Sequence, residues 1–171
     1  MSTDKEDYLR SGFVEIPTDS GTGSTVLVNR ERGRVVKFSF DPAYDRFAEI
    51  AHASPRAAFP RIYERRQATI DNGPIATFDF LIVEMELLVP LDPSQGDAVV
   101  AWTRERLARF TPGNSRPEEP HDDRFGILKS FDELLAFAVS NRLGLDLVKA
   151  SNYMGRLVDG ITQVVITDPF N

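Results

Sequence analysis

The chain reads Asp146-Leu147-Val148-Lys149-Ala150-Ser151-Asn152 near its C-terminus and, shortly afterwards, Val164-Val165-Ile166-Thr167-Asp168-Pro169. The second stretch has the pattern of an apolar strand that ends in a carboxylate. Such a carboxylate and an amide on a nearby loop can share a hard cation through oxygen ligands. A second carboxylate beside them can accept a proton from an incoming hydroxyl. Taken singly, each Asp or Asn is better explained by a local turn, but the order of features along the chain favours the chemical interpretation.

The second half of the chain is predicted to be helical before it ends in a strand hairpin. Ser94 or Asp97 can cap a first helix, and Ser130-Phe131-Asp132-Glu133 has the form of a capping box for a second. Gly144 suits the left-handed end of that second helix. The predicted elements are helices over residues 98–110 and 134–143, a loop over residues 111–123, and strands over residues 152–157 and 163–167 around a turn at Asp159-Gly160.

The first half is predicted to consist of strands around one helix. Asp41-Pro42 begins the helix, because Asp caps well and Pro is tolerated at the first helical position. Gly33 occupies the tight position of a hairpin, and Asp71-Asn72-Gly73-Pro74 has the composition of a turn. The predicted strands cover residues 13–16, 25–29, 34–39, 61–65 and 78–88.

A glycine turn and a strand lysine form a candidate phosphate-binding pair. Gly21-Thr22-Gly23-Ser24 lies between two predicted strands, and glycines let backbone N–H groups approach phosphate oxygens closely. Taken alone, the stretch Gly21-Thr22-Gly23-Ser24 is better explained as a hairpin turn that binds no ligand. Lys37 follows within a β-branched strand, in a chain with sixteen Arg and only four Lys. Two interpretations of Lys37 stay open: it meets phosphates held by the turn, or it lies on the solvated face of its strand.

Composition limits the classes of function. Twenty Lys and Arg against twenty-six Asp and Glu give a net charge of −6, which disfavours binding to nucleic acid or to an anionic membrane. The absence of cysteine excludes a thiolate metal site and a cysteine nucleophile. His52 and His121 are too isolated for a metal site or a Ser-His-Asp triad. The acidic N-terminus does not predict a signal peptide, and no apolar run approaches the ~20 residues that span a bilayer.

The order of glycine turn, strand lysine, helix, apolar strand, Asp…Asn loop and strand-end Asp resembles the protein-kinase signature set. More narrowly, the chain is similar to the small divergent serine/threonine kinase-like proteins of tailed bacteriophages. These commonly carry Ile-Thr-Asp-Pro in place of Asp-Phe-Gly, and a Met two residues after the catalytic-loop Asn. Ile166-Thr167-Asp168-Pro169 and Asn152-Tyr153-Met154 stand in those places, and Phe59-Pro60-Arg61-Ile62-Tyr63 matches the segment before the fourth strand.

The resemblance covers residues 21–171 and implies a fold. It predicts one α+β, protein-kinase-like domain over residues 1–171. Its N-lobe and hinge, about residues 10–88, would be a five-stranded antiparallel sheet with one helix. Residues 89–171 would form a reduced, C-terminally truncated helical C-lobe that ends in the catalytic-loop hairpin. A truncated lobe can leave apolar surface exposed, which would favour a homo-oligomer or an obligate partner.

The resemblance also implies the cofactors, ATP and Mg²⁺, and the roles of particular residues. It gives catalytic roles to Asp146, Lys37 and Lys149, nucleotide binding to Gly21, Gly23, Ser24, Lys37 and the hinge Glu84-Met85-Glu86, and Mg²⁺ ligation to Asn152 and Asp168. The implied activity is phosphorylation of Ser or Thr in host proteins, in the cytoplasm of the infected bacterium. The alternative is a pseudokinase that binds and blocks a host protein, and an unrelated α+β binding protein is a third possibility.

Two details bear on the choice between kinase and pseudokinase. The family spaces the catalytic-loop Asp and Asn by five positions, whereas Asp146 and Asn152 are six apart. Either the loop bulges by one residue or Leu147 takes the expected place. Glu49 is the natural helix partner of Lys37, but it lies about 160° around the helix from the apolar stripe. The sequence therefore predicts that Glu49 is solvated.

Overall fold

The computed structural model describes residues 3–17, 24–71, 77–110 and 122–171, which form a mixed α+β protein with antiparallel sheets. These residues divide into two compact units. We call them the N-terminal unit (residues 1–55 and 61–87) and the C-terminal unit (residues 56–60 and 88–171). In the described ranges, no helix is both long and apolar enough to cross a membrane.

The N-terminal unit is built on a five-stranded antiparallel sheet, as predicted. Its elements are α1 (Thr3–Arg10), β1 (Val14–Ile16), β2 (Thr25–Asn29), β3 (Arg34–Ser39), α2 (Pro42–Ala53), β4 (Ile62–Asp71) and β5 (Thr77–Glu86). The strand order is β1-β2-β3-β5-β4, so β5 is an interior strand. The bounds of β2 and β3 are those that the sequence predicts, and Gly33 has the expected positive φ of 61° in the turn between them.

Alternation along the strands gives the sheet two different faces. One face carries a buried apolar cluster, against which Tyr8 of α1 packs; its members are Phe13, Leu27, Val36, Phe38, Phe80 and Ile82. The helix α1 was not predicted, because its charged sequence has no apolar period. Tertiary contacts hold it, namely the Tyr8 ring 5.2 Å from that of Phe13 and the Asp4–Arg66 ion pair at 2.7 Å.

The other face of the sheet is covered by α2. This helix begins as predicted, with the Asp41 carboxylate accepting the N–H of Ala43 at 2.8 Å. Tyr44 and Phe47 are buried on the side toward the sheet. The carboxylate of Asp45 is ion-paired with Arg65 of β4, which joins the helix to the sheet. The apolar period of α2 thus corresponds to its buried side.

The C-terminal unit contains two long helices and a three-stranded antiparallel sheet. Its elements are β6 (Val89–Pro90), α3 (Pro93–Arg109), α4 (Leu128–Asn141), a 3₁₀ helix (Ala150–Asn152), β7 (Tyr153–Val158) and β8 (Ile161–Ile166). The strand order is β6-β7-β8. Asp159 and Gly160 both have positive φ, 51° and 79°, so the predicted hairpin turn is confirmed, and such angles are typical of a type I′ turn.

The predicted starts of both helices in this unit were wrong. The helix α3 begins at Pro93 after Asp92, whose carboxylate accepts the N–H of Gln95 at 3.0 Å, so neither Ser94 nor Asp97 is its cap. The supposed capping box lies inside α4, where Ser130 is buried, and the N–H of Leu128 is instead bonded by the carboxylate of Asp123 at 2.8 Å. Each helix thus begins at a carboxylate that lies upstream of the predicted cap.

The end of α4 also differs from prediction. The left-handed residue is Arg142, with φ 56°, rather than Gly144. Gly144 instead exchanges two backbone hydrogen bonds with Asn171, each 3.1 Å long. A Cβ at Gly144 would lie 3.0 Å from the carbonyl oxygen of Asn171, so this position needs glycine for close backbone approach.

Candidate functional site

The Asp146–Asn152 loop and the segment after β8 lie side by side in the C-terminal unit. The N–H of Asp146 donates to the carbonyl of Pro169 at 2.8 Å, and the N–H of Thr167 donates to the carbonyl of Asn152 at 2.9 Å. These bonds hold both neighbours of Asp168 against the two ends of the loop. Asp168 is half-buried, and its Oδ1 atom is buried. The backbone therefore brings Asp146, Asn152 and Asp168 into one region.

Side chains within the loop are ordered by their own contacts. The ammonium of Lys149 lies 2.5 Å from the carboxylate of Asp146, whose side chain is 13% exposed. The amide Nδ2 of Asn152 donates to the backbone carbonyl of Asp146. Asn152 is 9% exposed, so the amide that the sequence predicts as a metal ligand is held in a fixed orientation at the base of the loop.

The six-position spacing between Asp146 and Asn152 is accommodated by burial of Leu147. The Leu147 side chain is fully buried, whereas Asp146 and Lys149 retain access to solvent. Leu147 therefore contributes to the core, and the carboxylate of the loop belongs to Asp146. Lys149, three positions after Asp146, is close enough to act with it on the same group.

Lys37 lies in the N-terminal unit, on the face of the sheet covered by α2. It is half-buried between Val26 of β2 and Val83 of β5. Its ammonium is 3.5 Å from the ring centroid of Tyr44, which is a cation–π geometry. The alternative that Lys37 lies on a solvated face of its strand was therefore wrong.

The acidic residues of α2 bind arginines. Glu49 is exposed, as predicted, and forms an ion pair with Arg46 at 3.5 Å. Asp45, one turn earlier, is paired with Arg65. Glu49, the helix partner that the resemblance would give Lys37, thus pairs with Arg46 of its own helix.

The stretch that the resemblance gives as the hinge lies inside a strand. Glu84, Met85 and Glu86 belong to β5, between β3 and β4, and the predicted strand over residues 78–88 contains them. The N–H of Glu86 donates to the carbonyl of Arg61 at 3.0 Å, and its carboxylate accepts the N–H of Arg61 at 2.8 Å. The strand β5 ends at Glu86, two residues before the end of the predicted strand.

The glycine turn is described only at its end. Ser24 is half-buried, and its hydroxyl lies 3.4 Å from that of Ser39. Gly21 and Gly23 lie outside the described residues, as do His121, most of the predicted turn after Asp71 and most of the predicted loop before Asp123.

A cavity of about 290 Å³ lies beside the loop, within the C-terminal unit. It is lined by Pro90, Leu91, Asp92, Pro93, Gly96, Ala150, Ser151, Tyr153 and Met154. Gly96 of α3 allows a close approach, since a Cβ there would lie 3.3 Å from the Cβ of Ala150. Hydrogen bonds from the Ser94 hydroxyl and the Gln95 N–H lower the pKa of Asp92 below its usual value. The motifs of the sequence include the lining residues from Ala150 to Met154 but not those around Asp92, although Asp92-Pro93 repeats the Asp-Pro helix start of α2.

The comparisons do not identify a relative: no protein-family model matches the chain, and no curated protein matches it. The geometry of the described residues is therefore the ground for a functional proposal. It assembles Asp146, Lys149, Asn152 and Asp168 in the C-terminal unit, while Lys37, Ser24 and the Glu84-Met85-Glu86 stretch belong to the N-terminal unit.

Proposed function

We propose that the chain is a small ATP- and Mg²⁺-dependent phosphotransferase of the protein-kinase type, which phosphorylates Ser or Thr in proteins of a bacterial host. The observation that carries the proposal is the pairing of the Asp146–Asn152 loop with the segment around Asp168. It gathers a carboxylate, an ammonium, an amide and a second carboxylate on two adjacent stretches of backbone. This is the set of groups that phosphoryl transfer uses for positioning and charge neutralisation.

The donor chemistry suits Mg²⁺. Asn152 and Asp168 offer an amide oxygen and carboxylate oxygens, which are hard ligands of the kind this ion prefers, and Mg²⁺ is usually held by one or two carboxylates together with substrate phosphates. In the part of the chain that the structure describes, no three Asp, Glu, His or Cys side chains form a cluster that could hold a metal ion. Phosphate oxygens of ATP would therefore complete the coordination. When bound, the ion would neutralise phosphate charge.

The remaining groups take roles that fit their surroundings. Asp146 would accept the proton of the attacking hydroxyl, because its carboxylate keeps access to solvent while its backbone is fixed. Lys149, paired with Asp146, would neutralise charge on the transferred phosphoryl group. The 290 Å³ cavity, lined in part by Ala150 and Ser151 of the loop, offers a partly apolar space for part of the nucleotide. Lys37 would bind the phosphates through its ammonium, which lies 3.5 Å from the ring centroid of Tyr44.

The experiment is thermal unfolding with and without ATP and Mg²⁺ in wild type, Lys37→Ala and Asp168→Asn. Ligand at about 100 times its dissociation constant adds about 2.7 kcal/mol, which predicts a shift of about 5 to 10 °C. Both substitutions should abolish the shift. Matched controls are Lys129→Ala, an exposed lysine of α4, and Asp159→Asn in the hairpin turn, and both should keep it. Absence of a shift in wild type would contradict nucleotide binding.

Transfer is tested separately from binding with labelled ATP and host lysate. Asp146→Asn keeps the size of the side chain but removes the general base, so it should keep the thermal shift and lose phosphoryl transfer by about 100-fold or more. A wild type that shifts with ATP but labels no protein would contradict the kinase and support the second function below.

The second candidate function is a pseudokinase that binds and blocks a host protein. It is favoured by the exposure of Glu49 and its ion pair with Arg46, because an active kinase pairs the corresponding glutamate with the strand lysine. The discriminating variant is Arg46→Ala. In an active kinase it would free Glu49 and leave transfer unchanged or raise it, whereas a pseudokinase would show no transfer in either form.

A further inference from the structure

A buried chain of hydroxyl groups reaches the back of the Asp146–Asn152 loop. The phenol of Tyr153 donates to the carbonyl of Leu147 at 2.9 Å and lies 2.8 Å from the hydroxyl of Thr103 on α3. A phenol has one proton, so the Thr103 hydroxyl must be the donor in the second bond. Thr103 is fully buried and Tyr153 is 2% exposed. The direction of both bonds is thus determined by donor count.

The carbonyl of Asp146, next to that of Leu147, also accepts a hydrogen bond from a side chain. Asn152 donates its amide to the carbonyl of Asp146, as Tyr153 does to that of Leu147. Two successive carbonyls of the loop are therefore bonded by two successive side chains.

We propose that Thr103 and Tyr153 are positioning residues, which fix the Asp146 carboxylate by holding the adjacent Leu147 peptide. The proposal rests on the function proposed above. The fully buried Leu147 side chain and the bonded Leu147 carbonyl constrain this peptide from two directions, and the carboxylate projects from the residue before it. A displacement of even ~1 Å at a reacting group can cost on the order of 100-fold in rate. The hydrogen bonds of Thr103 and Tyr153 should therefore matter for turnover more than for substrate binding.

The test compares Tyr153→Phe, Thr103→Val and Thr103→Ser. The first two remove one hydroxyl each with little change of volume, and we expect kcat to fall by about 10- to 100-fold while KM for ATP changes less than about threefold. Their double variant should fall no further than Tyr153→Phe alone, since both act through one chain of bonds. Thr103→Ser keeps the hydroxyl and should restore most of the wild-type kcat.

A matched control separates positioning from stability. Ile127→Val removes one buried methyl group and no hydrogen bond from the same unit. Ile127→Val should lower the melting temperature about as much as Tyr153→Phe and Thr103→Val do. It should leave kcat unchanged when all variants are assayed well below their melting temperatures. Equal loss of kcat in Ile127→Val and Tyr153→Phe would overturn the proposal, as would wild-type kcat in Thr103→Val.

Hydrogen exchange gives a second readout that does not depend on activity. Amides of residues 146–152 should exchange about tenfold faster in Tyr153→Phe and Thr103→Val, but at the wild-type rate in Ile127→Val. If wild type transfers no phosphate, the proposed function fails, and the exchange rates alone test whether Thr103 and Tyr153 hold the loop. Faster exchange confined to the loop would then support it, and unchanged exchange would overturn it.

Discussion

Replacement of Arg156 by Met should strongly destabilise the C-terminal unit. The Arg156 residue of β7 is 8% exposed, and its guanidinium donates to the carbonyls of Ala57 and Phe59 and to the side-chain oxygen of Gln163. Hydrogen bonds to charged groups contribute about 1.5–3 kcal/mol each. Loss of the two carbonyl bonds should therefore lower the free energy of unfolding by about 3 to 6 kcal/mol, a large part of the total stability of a typical domain.

The assay is urea unfolding followed by the fluorescence of Trp102. This residue is the only Trp of the chain, is 4% exposed and lies in α3, so its emission reports directly on the C-terminal unit. Arg156→Lys keeps the charge without the planar fork of donors and should lose about half as much stability. Arg104→Met replaces an exposed arginine of α3 and should stay within about 0.5 kcal/mol of wild type.

The outcome that would refute this reasoning is an Arg156→Met variant within about 1 kcal/mol of wild type. Such a result would mean that water or other donors satisfy the two carbonyls. The anchoring of residues 56–60 would then depend on the bond from the N–H of Ile166 to the carbonyl of Ala58, which is 2.8 Å long.

Three further predictions concern stability. Burial raises the pKa of Tyr153, so its contribution to stability is complete below the pKa of the unfolded state, about 10, and is lost as the pH rises beyond that value. Wild type should therefore lose more stability than Tyr153→Phe between pH 9 and pH 11, by up to about 1.4 kcal/mol per pH unit above pH 10. Parallel plots of unfolding free energy against pH for the two proteins would contradict this. Gly155→Ala should cost about 1–3 kcal/mol in urea unfolding, because the new Cβ would lie 2.6 Å from a methyl carbon of Thr162, and an unchanged midpoint would show that the β7–β8 pair can separate freely. Asp41→Ala should cost about 1 kcal/mol by loss of the helix cap on Ala43, with Asp41→Asn as the control that keeps an acceptor; equal stability of all three proteins would rule out the cap.

Several elements followed from local signals in the sequence. The strands β2 and β3 have their predicted bounds, since β-branched residues flank a turn in which Gly33 takes the positive φ. The start of α2 follows from Asp41-Pro42, and the final hairpin from Asp159-Gly160. In each case the residues that determine the conformation are neighbours along the chain.

The candidate site was predicted only in part, for a physical reason. The sequence indicates Asp146, Asn152 and Asp168 as candidates, and the structure brings their backbones together through bonds from Asp146 to Pro169 and from Thr167 to Asn152. It could not indicate that Leu147 is buried. A spacing of residues does not say which side chain of a loop enters the core.

The sequence by itself determined the α+β class, the strand pairs joined by tight turns and the residue types available for chemistry. Tertiary structure decided where α4 begins, because Ser130 is buried inside the helix and its local capping signal is not used, whereas α3 begins at the local signal Asp92-Pro93. It also decided the strand order β1-β2-β3-β5-β4, in which β5 has a hydrogen-bonding neighbour on each side. Capping and turn energies act over a few residues, whereas burial and strand pairing depend on partners far away in the chain.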